Sequence, residues 1–145
     1  MLFKNEETSL KLDIVNYEFP ADGGDPTSDD RNWLVLRATW VDDEGRVVKD
    51  SNSCLLTYEL REMTAGLKVL NAGIKDRYYS SFAEPYFELA AWAEGEDFLV
   101  DVSFYLPNTM DGEDTAEVAA CMNKAEMTAL IDELDKLCAK YPDRS

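Results

Sequence analysis

Carboxylates are the one chemically capable side chain this sequence holds in quantity: thirty Asp and Glu stand against fourteen Lys and Arg, with no histidine. Two carboxylates flanking a glycosidic bond can hydrolyse it, one as general acid and one as base or nucleophile. Among thirty, some pair falls within that distance by chance, so abundance marks no site. Glu84, beside Pro85 and just ahead of a strand-like run, is the acid best placed for such a role. A structural role is the commoner fate of a lone acid of this kind. The missing histidine removes the usual proton carrier and metal ligand near neutral pH. Cys54 therefore has no imidazole to activate it and reads as a core residue. Asp22, Asp25, Asp29 and Asp30 crowd one short stretch. They lack the D-x-D-x-D-G spacing of a calcium loop and read as a solvated acidic loop. Gly23-Gly24 has no neighbouring G-K-S or G-x-G-x-x-G to cradle a phosphate. The expectation is no metal, no cofactor and no catalysis.

Recognition remains. A formal charge of −16 over 145 residues surrounds the molecule with negative potential. Such a field works against nucleic acid and anionic membranes and draws in basic proteins, quickening encounter at low salt. Solubility is the plainer account of the same acidity. Arg31, Arg37, Arg46, Lys49, Arg61, Lys68, Lys75 and Arg77 are spread through the first half without a basic run. Only a basic face assembled by the fold would qualify the exclusion of nucleic acid. For a basic protein partner, the acids Asp22, Asp25, Asp29 and Asp30 are candidates for long-range attraction. Tyr78 and Tyr79, adjacent in a predicted loop, are candidates for aromatic contact. Trp33, Trp40 and Trp92 fall on predicted strands, where core packing is the default.

The elements that position these residues follow from hydrophobic period. The length suits a single domain over 1–145. With 46% hydrophobic residues, among them three Trp, seven Tyr and six Phe, the chain has material for a core. No apolar run reaches the ~20 residues of a membrane span, and Met1 to Glu7 lacks the apolar stretch of a secretory signal. Cys54, Cys121 and Cys138, odd in number and far apart, read as free thiols of a reducing cytoplasm.

Leu10, Leu12 and Ile14 alternate with Lys11 and Asp13 as a strand. A second strand runs from Trp33 to Val41, with Leu34, Leu36, Ala38 and Trp40 on one face. Asp42-Asp43-Glu44-Gly45 turns the chain into a third, begun at Arg46-Val47-Val48 and broken by Asp50-Ser51-Asn52-Ser53 before Cys54-Leu55-Leu56. Leu60, Met63, Leu67, Leu70 and Ile74 then recur at helical spacing, with Thr57 as N-cap and Gly73 as terminator. Gly66 inside that helix suggests close packing on a sheet. Asp76 to Ala83 reads as a polar connection. Strands follow at Tyr86–Ala93, through Phe98, Val100, Val102, Phe104 and Leu106, and through Ala116, Val118 and Ala120, with a loop over Pro107 to Asp114. Asn123 and Glu126 form a capping box for a last helix carrying Met127, Leu130, Ile131, Leu134, Leu137, Cys138 and Tyr141, which Pro142 stops. The predicted fold is α+β: an antiparallel sheet of about six strands in the order βββαβββα, with two helices on one face.

Several segments carry a resemblance. Asp30-Arg31-Asn32-Trp33-Leu34-Val35 opens a strand after a loop led by Tyr17-Glu18-Phe19-Pro20. Ser53-Cys54-Leu55-Leu56-Thr57-Tyr58-Glu59-Leu60 runs from strand into helix. Phe82-Ala83-Glu84-Pro85-Tyr86-Phe87-Glu88 opens the second half, and Lys140-Tyr141-Pro142-Asp143-Arg144 closes the chain. Together they resemble the small bacterial WapI-like immunity proteins, which neutralise cell-wall-associated contact-dependent toxins, often nucleases, in the cytoplasm. The resemblance implies a non-enzymatic cytoplasmic protein that binds and occludes a basic toxin domain. It implies no particular toxin-binding residues. An acidic interaction module with another partner, or a carboxylate-based hydrolase, are the alternatives. A neighbouring gene for a large secreted protein with a nuclease-like C-terminus would separate immunity from the former.

Overall fold

The computed structural model describes residues 1–109 and 114–144. Strands β1 (Leu2–Lys4), β2 (Ser9–Tyr17), β3 (Trp33–Val41) and β4 (Val47–Leu56) form one antiparallel meander, which leads into α1 (Thr57–Asn71). Strands β5 (Arg77–Tyr79), β6 (Phe87–Glu94), β7 (Asp97–Leu106) and β8 (Asp114–Met122) form a second, which leads into α2 (Lys124–Lys140). The α+β class and the rhythm of sheet then helix match the sequence reading. The single six-stranded sheet does not: the described residues form two sheets of four strands.

The two extra strands are three residues each, too short to display a period. β5 lies inside the expected polar connection. The expected break at Asp50–Ser53 is absent too, because Asp50 is buried with partners for its charge. Its Oδ2 accepts from the Asn108 backbone N–H (2.9 Å), and its Oδ1 accepts from Asn108 Nδ2 (2.9 Å) and the Ser51 N–H (2.7 Å). Of the loop expected over Pro107 to Asp114, residues 110–113 lie outside the described residues, and β8 begins at Asp114.

Alternation puts the apolar half of each strand inward. Leu10 and Leu12 of β2, Leu34, Leu36 and Ala38 of β3, and Val100, Val102 and Phe104 of β7 are all buried. They share one core with Leu60, Met63 and Leu67 of α1 and Met127, Leu130 and Leu134 of α2. The helices pack on each other, α1 against β4, β5 and β6, and α2 against β7 and β8. Burying each such side chain contributes about 1.5–3 kcal/mol. Gly66 is bare because a Cβ there would overlap the ring of Tyr78 on β5. At Gly73, φ is +76°, and the Gly73 and Ile74 N–H groups close the helix on the carbonyls of Leu70 and Val69, both at 3.1 Å. That turn throws Ile74 into solvent, so it does not extend the α1 stripe.

α2 begins with the expected reciprocal cap: Asn123 Oδ1 accepts the Glu126 N–H (2.8 Å), and Glu126 Oε1 accepts the Asn123 N–H (3.1 Å). α1 begins differently. Thr57 is already helical, extended Leu56 holds the cap position, and the buried Glu59 carboxylate accepts its N–H through Oε1 (2.9 Å). The other oxygen, Oε2, accepts the N–H of Ala83 from the segment entering β6 (2.7 Å). Glu59 thus joins the head of the first helix to the second meander.

Around the same helix head the remaining recognisable segments converge. Asn32 Oδ1 accepts from the Thr57 hydroxyl (3.2 Å) and the Arg144 N–H (2.7 Å), while its Nδ2 donates to the Arg144 carbonyl (2.9 Å). Arg144 lays its guanidinium 3.3 Å from the Tyr17 ring centroid and donates to the Phe19 carbonyl (3.1 Å). Tyr17 donates its hydroxyl to the Pro142 carbonyl (2.6 Å), and Arg61 pairs with Asp143 (2.6 Å). The Arg61 hydrogen bond holds the Asp143 carboxyl below its ordinary pKa, against the opposing pull of desolvation.

Replacing Glu59 with Ala strands two backbone donors at once. We expect a loss of about 2–5 kcal/mol, which lowers the melting temperature of a chain this size by roughly 5–15 °C. Glu59→Gln, which keeps one acceptor, falls between. Thermal denaturation of the three proteins checks this, and equal melting temperatures would remove Glu59 as a clasp.

Candidate functional site

The acidic loop is a self-organised turn. Asp25 Oδ1 accepts the Thr27 N–H (2.9 Å) and hydroxyl (2.7 Å), and Asp30 Oδ2 accepts the Asp25 N–H (2.9 Å). The Thr27 bonds hold the Asp25 carboxyl below its ordinary pKa. Asp29 accepts from the Tyr58 hydroxyl (3.2 Å), and Asp22 is exposed. The loop keeps its acids at the surface while two of the four, Asp25 and Asp30, also shape its backbone.

Tyr78 and Tyr79 separate. As neighbours on a strand they point to opposite faces. Tyr78 faces inward onto Gly66, and burial, then Glu62 and Glu59, push its phenol up to about 12. Tyr79 points outward and is 60% exposed. Tyr78 therefore fixes the short edge strand that carries Tyr79.

The outward faces of the two sheets differ in charge. On the first sheet, Lys4, Lys11, Arg37 and Lys49 point outward with one acid, Asp13, which Arg37 approaches at 3.8 Å and Lys11 at 4.0 Å. In register, Leu2, Lys11, Thr39 and Lys49 form one row across all four strands. These bases are scattered along the sequence, and the pairing assembles them.

On the second sheet the outward rows read Glu88–Ser103–Glu117 and Tyr79–Ala90–Asp101–Ala119. The next row toward one end is Arg77–Trp92–Leu99–Cys121. Toward the other end Tyr105 stacks on Tyr86, with ring centroids 5.6 Å apart. Small side chains at Ala90, Ser103 and Ala119 leave an open trough of about 700 Å³ along the sheet. Glu88, Asp101 and Glu117 stand exposed in it, and no Lys or Arg lines it. Glu88 and Glu117 sit two strands apart, about 10 Å between backbones, with Asp101 on the strand between. Among the described residues none of the three forms an ion pair.

The outward alternation of Asp101, Ser103 and Tyr105 is visible in the sequence of β7. The grouping of Asp101 with Glu88 and Glu117 is not, since it depends on the register of three strands. Other chemistry finds less support. Burial, with Glu59 and Glu84 nearby, pushes the Cys54 thiol up to about 12, where it is a poor nucleophile. Glu59 has both oxygens engaged by backbone amides. Among the described residues no group of three His, Cys, Asp or Glu is arranged to hold a metal ion. Nor is any helix there long and apolar enough to cross a membrane.

A family model for immunity proteins of the WapI-like family matches residues 1–142, nearly the whole sequence, and the chain belongs to that family. No curated protein matches it.

The four outward bases of the first sheet set a concrete test for nucleic acid. With so few, and −16 overall, the counterion release that drives such binding is small and the net field opposes it. Mixed RNA and DNA in a mobility-shift assay at physiological salt should show no complex. A salt-sensitive micromolar complex lost on Lys11→Glu/Lys49→Glu would reverse this.

Proposed function

We propose that this protein is an immunity protein that acts in the cytoplasm, binding the basic toxin domain paired with it and blocking it by occlusion, without catalysis, cofactor or metal. Membership of the WapI-like immunity family carries the proposal. The acidity of the chain and the exposed carboxylates Glu88, Asp101 and Glu117 of the second sheet support a cationic partner. The toxin domain is, in this reading, a nuclease, whose own surface must be basic to hold its phosphate backbone. An acidic protein laid over such a surface competes with the substrate directly.

Within this reading, Asp22, Asp25, Asp29 and Asp30 supply long-range attraction from a surface loop whose backbone Asp25 and Asp30 help to hold. Tyr79 supplies contact area, and Tyr78 keeps it in place. The whole chain works as a single domain, because one core runs under both sheets. Neither nucleic acid nor membrane is a partner.

The test first reads the neighbouring gene: where it encodes a large secreted protein, the C-terminal domain of that protein is the toxin to use. Premixed with it in slight excess, the protein should abolish that domain's activity and co-elute with it as a stable complex. Full toxin activity in the presence of excess protein would overturn the proposal.

A further inference from the structure

We infer that the toxin docks on the outer face of the second sheet, presenting Lys or Arg side chains from one segment to Glu88, Asp101 and Glu117. The inference rests on the immunity reading and adds the surface and the chemistry of the segment that meets it. Four observations carry it. First, the three carboxylates are exposed and have no basic partner among the described residues, so their charge is available to a partner. Second, they stand over a floor of small side chains, Ala90, Ser103 and Ala119, which lets a backbone approach closely. Third, aromatic rings lie at the trough's margins: Tyr79 on the edge strand, Trp92 one row along, and the stacked Tyr86–Tyr105 pair beyond the Glu88 row. Rings beside the carboxylates add the aromatic contact area that commonly carries much of the binding energy. Fourth, the adjoining outer face of the first sheet bears Lys4, Lys11, Arg37 and Lys49 with the single acid Asp13, so the second sheet offers a basic domain the more acidic of the two faces.

This docking separates two kinds of acid. The loop acids lie apart from the trough and act before contact, on the association rate. Glu88, Asp101 and Glu117 are desolvated on docking and act on the dissociation rate.

The experiment measures association and dissociation of the same toxin C-terminal domain with four proteins. Against wild type, the triple variant Glu88→Gln/Asp101→Asn/Glu117→Gln should dissociate at least about tenfold faster. These swaps are isosteric and on an exposed face, so its melting temperature should match wild type. Asp22→Asn/Asp25→Asn/Asp29→Asn/Asp30→Asn should associate more slowly at low salt and dissociate at the wild-type rate. Lys11→Glu/Arg37→Glu/Lys49→Glu, on the outer face of the first sheet, should keep the wild-type dissociation rate. A folded triple variant that dissociates as slowly as wild type overturns the docking face and leaves the immunity reading intact. So does a large rise in dissociation from the first-sheet variant. Failure of the wild-type protein itself to bind removes the immunity reading and the docking face with it.

Discussion

Two backbone N–H groups, far apart in sequence, converge on one buried carboxylate. The N–H of Leu56 begins α1, the N–H of Ala83 leads into the second sheet, and Glu59 accepts both. In a low-dielectric interior an unpaired donor is costly, so a carboxylate that satisfies two of them fixes both segments at once. Asn32 does the equivalent for the Thr57 hydroxyl and the backbone of Arg144. The segments that carry the resemblance supply, in this light, the parts of one clasp around the head of a helix. They hold together two similar halves, each a four-stranded meander followed by a helix.

The clasp has a functional consequence. With the two meanders held on a shared core, their outer faces adjoin, Asn5 Nδ2 donating to the Ala119 carbonyl (3.1 Å), yet differ in charge. The first gathers Lys4, Lys11, Arg37 and Lys49, and the second gathers Glu88, Asp101 and Glu117. A uniform excess of acid would attract a basic partner from every side. A polarised one also orients it, and orientation is the usual limit on how fast two proteins dock. In the proposed docking, the recognition surface lies on strands away from the clasp, where exposed side chains can vary without disturbing the fold.

Much of the fold was legible in the sequence because period survives wherever an element is long and one-sided. The inward set of β7, the Asn123–Glu126 box of α2 and the α1 stripe from Leu60 to Leu70 all stand as read. What failed was short or depended on partners. β1 and β5 have too few residues for a period, and Asp50 looked like a break because its partner, Asn108, lies 58 residues away. Thr57 looked like a cap because Glu59 was not expected to hold the preceding N–H. The site was less legible still. Asp22, Asp25, Asp29 and Asp30 stand out by crowding, whereas Glu88, Asp101 and Glu117 come together only through strand register. Composition reported the sum of the charges, and the fold distributed them.

Covalent footprinting of the complex tests that distribution most directly. Cys121 is exposed on the outer face of the second sheet, while Lys11 and Lys49 are exposed on that of the first. In the complex with the toxin domain, alkylation of Cys121 should slow markedly and oxidation of Tyr79 and Trp92 should fall, while acetylation of Lys11 and Lys49 continues at the rate of the free protein. The reverse pattern, with the lysines protected and Cys121, Tyr79 and Trp92 as reactive as in the free protein, would contradict the account.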